Sequence, residues 1–139
     1  MANTVKVKKY SDVIEELVAG GTITPGMLLD ISATNTVTAA TGAGTLPVFA
    51  LEDELQGKGI DNNYASGDPV QCWIPYRGDV VNAILKAGKK TAIGTPVASN
   101  GDGKLKQAGT GDTPIGFAVT AVDLTGSGAT DARVLVRII

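Results

Sequence analysis

Histidine is absent from the 139 residues. With it go the commonest general base, the Ser-His-Asp and Cys-His nucleophile systems, and the commonest transition-metal ligand. A single cysteine, Cys72, excludes an internal disulfide and a cysteine-rich zinc site. Aromatic residues make up only 4% of the chain against 43% for the whole hydrophobic set, so any core must be built mainly from Ala, Val, Ile and Leu. Charge of either sign is scarce in excess: 12 basic and 14 acidic residues give a formal net charge of −2. That balance offers no electrostatic footprint for nucleic acid or an anionic membrane. The first nine residues turn polar at once, so neither a secretory signal nor a membrane span is expected. The expected address is a reducing cytoplasm, or a particle assembled there.

What the chain does have is glycine, 18 residues, well above the typical ~7%. Glycine in such numbers costs backbone entropy and sits naturally at turns with positive φ, which favours many short strands over long helices. A chain of this length fits one domain with a core of its own. Residues 1–10 read as an N-terminal arm, with Val5 and Val7 alternating with Lys6 and Lys8, and residues 11–139 read as a single β-barrel domain. Asp12 and Glu15 have capping-box spacing, and Val13, Ile14, Leu17 and Val18 form a helical stripe ending at Gly20-Gly21, so one short helix is predicted there. Strands are predicted over 23–31, interrupted at Pro25-Gly26, and over 36–40, 47–51, 70–74, 80–85, 95–98, 104–108, 115–122 and 133–139. Residues 83–86 could instead form a helical turn, since Val80, Val81, Ile84 and Leu85 also fit a helical spacing, though strand is favoured, and Asn100-Gly101 marks a hairpin. The succession from Val37 to Leu51 is echoed from Leu105 to Val119, each a hairpin arm, a Gly/Thr loop, a proline and an apolar strand. The fold class is all-β, a small barrel or sandwich.

The most distinctive stretch runs from Phe49 to Asp79. Glu52, Asp53 and Glu54 could pair as catalytic carboxylates or ligate a divalent cation, but three successive acids more often form a solvated turn, and the spacing is not that of an EF-hand. Cys72, in an apolar run beside Trp73, reads as a small buried hydrophobe. Arg77-Gly78-Asp79 matches an adhesion tripeptide; a bend at Gly78, with Arg77 and Asp79 solvated or paired across it, accounts for it without a receptor. Gly101-Asp-Gly-Lys104 lacks the spacer and hydroxyl of a phosphate loop and reads as a turn. No catalytic, cofactor or metal residue is assigned, and no enzyme activity is expected.

Several segments, in their order and spacing, resemble the head decoration, or capsid cement, proteins of tailed bacteriophages. They are Ile23-Thr-Pro-Gly-Met-Leu-Leu, Phe49-Ala-Leu-Glu-Asp-Glu-Leu-Gln-Gly-Lys-Gly-Ile-Asp, Tyr64-Ala-Ser-Gly-Asp-Pro-Val, Pro75-Tyr-Arg-Gly-Asp, Ala92-Ile-Gly-Thr-Pro-Val-Ala-Ser-Asn-Gly-Asp-Gly and Arg133-Val-Leu-Val-Arg-Ile-Ile. The resemblance covers nearly the whole chain. It implies a tulip-like β-barrel that binds the outer surface of an icosahedral head as a homotrimer, contacts the major capsid protein and locks capsomers together, without catalysis. The virion, assembled in the bacterial cytoplasm, would then be its location. On this reading Thr4, Val5, Lys6, Val7, Lys8, Lys9 and Tyr10 are expected to lie along the shell, with the lysines facing acid; an ordinary edge strand guarded by lysines is the other reading. Trp73, Pro75, Tyr76 and Arg77 have the composition of an interface core, although burial of Trp73 inside the monomer is equally compatible. Glu52, Asp53 and Glu54 fall in a loop expected at the trimer or the capsid interface. The alternative function is a host-surface adhesin or head-fibre component that binds cells through the barrel loops.

Overall fold

The computed structural model describes residues 3–10, 12–42 and 46–139. Among the described residues thirteen short strands follow one another: β1 Lys6–Lys8, β2 Val13–Ala19, β3 Leu29–Ala33, β4 Thr36–Ala39, β5 Phe49–Ala50, β6 Pro69–Ile74, β7 Val80–Leu85, β8 Lys90–Thr91, β9 Pro96–Ser99, β10 Leu105–Gln107, β11 Gly116–Ala118, β12 Val122–Asp123 and β13 Ala132–Ile138. The all-β expectation holds. Strands β7, β10, β9, β11 and β13 pair in that order, and β13 returns to β7 to close a five-stranded barrel, with β1 added on β7. A five-stranded sheet, β3-β4-β2-β6-β5, caps the barrel, and β12 and β8 form a separate pair.

Side chains alternate along each strand, so β6 of the capping sheet contributes to two separate apolar clusters. From β6, Trp73 points with Phe49 into the barrel core beside Val81, Leu85, Leu105, Val134 and Val136. Its neighbours Val70 and Cys72 point the other way, into a second cluster with Leu17, Val37, Val48, Ile23 and Tyr64. The Tyr64 hydroxyl donates to the carbonyl of Leu51 at 2.7 Å, so its polar tip is satisfied inside this cluster. The six residues of β7 are all buried, and so show none of the half-exposed alternation that distinguishes a strand from a helix in sequence.

The predicted short helix does not form. Residues 13–19 are strand β2, antiparallel to β6 from Val13↔Ile74 to Val18↔Pro69. The spacing of Val13, Ile14, Leu17 and Val18 suits a helix, but Leu17 and Ala19 are the residues buried, two apart, while Val13, Ile14 and Val18 remain exposed. The helical element among the described residues is instead a single 3₁₀ turn, Glu54–Gln56. The segment predicted as strand over 23–31 is broken by a turn at Pro25-Gly26, with isolated bridges Ile23↔Tyr64 and Leu28↔Phe49 and strand pairing from Leu29 onward. Within the echoed succession, residues 43–45 lie outside the described residues, as do residues 1 and 2 of the N-terminal segment.

Three turns are built to one plan. In Ala65-Ser66-Gly67-Asp68, Tyr76-Arg77-Gly78-Asp79 and Gly109-Thr110-Gly111-Asp112 the fourth N–H donates to the first carbonyl, at 3.0, 3.0 and 3.1 Å. The third residue is a glycine with φ of 90, 93 and 87°, the requirement of a type II turn. In each, the closing aspartate also accepts the N–H of the first residue. One side chain thereby satisfies a backbone donor that the turn leaves free.

Candidate interaction surface

The second of these turns, that of residues 76–79, organises the most distinctive surface. Asp79 is fully buried. Its Oδ2 accepts the N–H of Tyr76 at 2.7 Å, and its Oδ1 accepts the N–H of Tyr10 at 2.5 Å. The solvated or Arg77-paired Asp79 expected from the tripeptide is therefore corrected: the carboxylate is spent on two backbone donors, and a buried acid left without them would be costly. Arg77 and Tyr76 are exposed on the outside of the bend.

Fixing the N–H of Tyr10 beside that of Tyr76 brings together two parts of the chain that carry exposed aromatics. Tyr10 is 76% exposed and Tyr76 62%. A Cβ at Gly78 would lie 3.3 Å from Cε2 of Tyr10, so the Tyr10 ring rests against the glycine of the turn. Arg137, on β13, donates from Nη1 to the carbonyl of Gly78 at 2.9 Å, and Phe117 on β11 stands directly opposite Arg137. Tyr10, Tyr76, Arg77, Arg137 and Phe117 thus gather around one turn, all exposed. Aromatic side chains and arginine are the groups enriched at interface cores. Arg137 and Phe117 were not singled out from sequence; the signal was the alternation of inward Val134, Val136 and Ile138 with outward Arg137.

The remaining expected residues are distributed differently. Val5 is fully buried in the barrel core, and its N–H donates to Glu52 Oε2 at 3.0 Å. Lys6 and Lys8 lie on β1, paired with Val81 and Val80. Lys6 and Lys9 each hold one oxygen of Asp12 at 2.9 Å, which leaves Lys8 exposed among the three lysines without an ion pair in the described set. Thr4 closes a local bond to the carbonyl of Lys6, and Val7 is half-buried.

Glu52, expected in a solvated acidic turn, is buried, whereas Asp53 is half-buried and Glu54 exposed. The guanidinium of Arg133 lies near enough to Glu52 and Asp61 that burial lowers its pKa while these two carboxylates oppose the shift. Its nitrogens donate to the carbonyls of Pro25 and Ile60. These two bonds tie β13 to the turn at Pro25 and to the loop that holds Ile60. Trp73 is fully buried, and its indole N–H has no acceptor among the described residues; Pro75 is buried beside it. Burial, followed by the nearby carboxylate of Glu15, pushes the Cys72 thiol up to about 12, the environment of an inert cysteine. Among the described residues no group of three or more His, Cys, Asp or Glu side chains is placed to hold a metal ion.

The sequence matches no family model, and no curated protein matches it. In structure the chain is similar to the N base of the head fiber gp8.5 of bacteriophage phi29, with a TM-score of 0.59 and 17% identity over 93% of this chain and 95% of that one. The likeness extends across the whole architecture and establishes a shared fold.

Proposed function

We propose that this protein is a structural component of a bacteriophage head, a decoration protein that binds the outside of the shell as a homotrimer and ties neighbouring capsomers of the major capsid protein together. The observation that carries this reading is the end-to-end likeness to the base of a phage head fiber. The segment resemblance to capsid cement proteins supports it independently. On this reading the protein is no enzyme, and binding is its whole activity.

The patch around Asp79 is the surface proposed to meet the shell. Its aromatic rings and arginines are mounted on a turn whose backbone is pinned by a buried carboxylate, so little conformational freedom is lost on docking. Three such patches on one trimer act at high effective concentration once the first has docked. A clamp that fits only the mature shell stabilises it by mass action.

The test uses mature heads stripped of the protein. Purified wild-type protein is expected to rebind them, and a Tyr10→Ala, Tyr76→Ala, Arg77→Ala triple variant with an unchanged urea midpoint is expected to show greatly reduced occupancy. Full occupancy by the triple variant would remove the patch from the account, and failure of the wild type to bind any head would remove the decoration role.

A second reading is favoured by the neighbour itself, which is the base of a fiber. Here the barrel roots a longer appendage or adhesin on the head and its loops face the host. Binding of the purified protein to host cells, with no affinity for stripped heads, would select it.

A further inference from the structure

The N-terminal half of β2 is an open sheet edge. β4 joins β2 in parallel only at Val18↔Thr36 and Ala19↔Val37. Residues 13–17 therefore have β6 on one side and, among the described residues, no strand on the other. The direction of the backbone groups follows from the bonds at the strand's end. The N–H of Ala19 donates toward β6, to Asp68, whereas those of Val18 and Gly20 donate the opposite way, to Asn35 and Val37. Since direction alternates along a strand, the N–H and C=O groups of Ile14 and Glu16 point past the start of β4 into the open.

The side chains along this edge are unusual for a solvated strand. Val13 is 50% exposed and Ile14 39%, and they lie on opposite faces. Glu15, opposite Cys72, and Glu16, opposite Gln71, likewise take one face each. Gln71 Nε2 holds the Glu16 carboxylate at 2.9 Å. Beside it is a groove of about 260 Å³ where Glu16, Asp53 and Asp68 outnumber the single cation Lys58, and Leu55 forms the apolar wall.

We propose that residues 13–17 accept, as an added strand, an extended segment of a partner protein that carries lysine or arginine on alternate positions. Free main-chain donors and acceptors supply the pairing and β-branched Val13 and Ile14 give apolar contact; because alternate residues of the added strand share one face, the glutamate of that face, Glu15 or Glu16, selects the charge. The same glutamates select against a second copy of this chain. Self-pairing of two β2 edges would set glutamates across from glutamates, and like charges directly opposite destabilise a strand pair. This inference is independent of the phage-head reading and concerns a surface other than the Asp79 patch.

The experiment uses the whole protein and a fluorescent peptide, Thr-Lys-Val-Lys-Thr-Lys-Val, with its glutamate-for-lysine counterpart as control. Anisotropy is expected to show saturable binding of the lysine peptide only, weakening as salt rises. Amide hydrogen exchange is expected to slow at Ile14 and Glu16 in the complex. Glu15→Lys with Glu16→Lys is expected to weaken binding by about tenfold or more, while Tyr76→Ala leaves it unchanged. Equal binding of the two peptides, binding without protection at Ile14 and Glu16, an unaffected double variant, or no binding at all would each overturn the proposal. So would sedimentation showing that the free protein self-associates through those same amides.

Discussion

Tyr10 and Asp79, 69 residues apart, are joined by a hydrogen bond from the backbone of one to the carboxylate of the other. The second carboxylate oxygen closes on Tyr76, so one acid sets the position of both exposed rings. Replacing Asp79 by Ala leaves two N–H groups without their acceptor. The expected loss is roughly 2–4 kcal/mol, read as a fall in the urea midpoint, together with faster amide exchange at Tyr10. Asp79→Asn retains one acceptor oxygen and is expected to cost less than Asp79→Ala.

Close packing of backbone against backbone sets a second expectation. A Cβ at Gly116 would fall 2.3 Å from the carbonyl oxygen of Arg137 and 2.7 Å from Val136 Cγ1, at the pairing of β11 with β13. Gly116→Ala is expected to destabilise by about 2–3 kcal/mol, because the obstructing atom is main chain. At Gly21 an added Cβ meets nothing within 4 Å. Gly21→Ala is expected to be neutral or slightly stabilising, and thermal melts of the pair compare the two directly.

Acid should act through surface carboxylates. Lys9, then Lys6, hold the Asp12 carboxyl below its ordinary value of 3.8. The N–H of Gly109, then Lys106, do so for Asp112, and the hydroxyl and N–H of Thr125 for Asp123. A carboxyl whose folded pKa is depressed contributes stability that is complete above its unfolded value and lost as pH falls through the folded one. Urea midpoints are therefore expected to stay flat from neutral pH to about 5 and to decline below about 4. With no histidine in the chain, no step is expected near pH 6.5 from a side chain.

Cys72 supplies a probe of the second apolar cluster. Fully buried and with its thiol pushed up to about 12, it should resist alkylation by iodoacetamide at pH 8 in the folded protein and react completely in urea. Rapid native labelling would show that the cluster beneath β6 opens readily.

How far the sequence discloses this fold depends on the kind of signal. Turns of the form x-x-Gly-Asp are readable because glycine and aspartate do distinct jobs at fixed positions, one of them conformational and the other an acceptor. Strands such as β6 and β13 are readable from composition and flanking turns. β2 misleads because an open edge exposes both of its faces, so its apolar residues lose the period of two and imitate a helix; only the distant β6 decides the matter. The burial of Glu52 and Asp79 is not legible locally either, since their donors, Val5 and Tyr10, lie 47 and 69 residues away. The family resemblance led to the stretch holding Tyr76 and Arg77, while Phe117 and Arg137 reach the same turn through strand pairing alone.

Barrel closure has a consequence for the order in which the protein becomes itself. The strand that seals the barrel, β13, inserts between β7 and β11, both made earlier, and the core it completes already includes Val5. Until residues 132–138 emerge from the ribosome, β7 and β11 each keep an unpaired side, and contacts of such long sequence separation form slowly. Nascent chains should therefore remain protease-sensitive until β13 is free, then become resistant in one cooperative step.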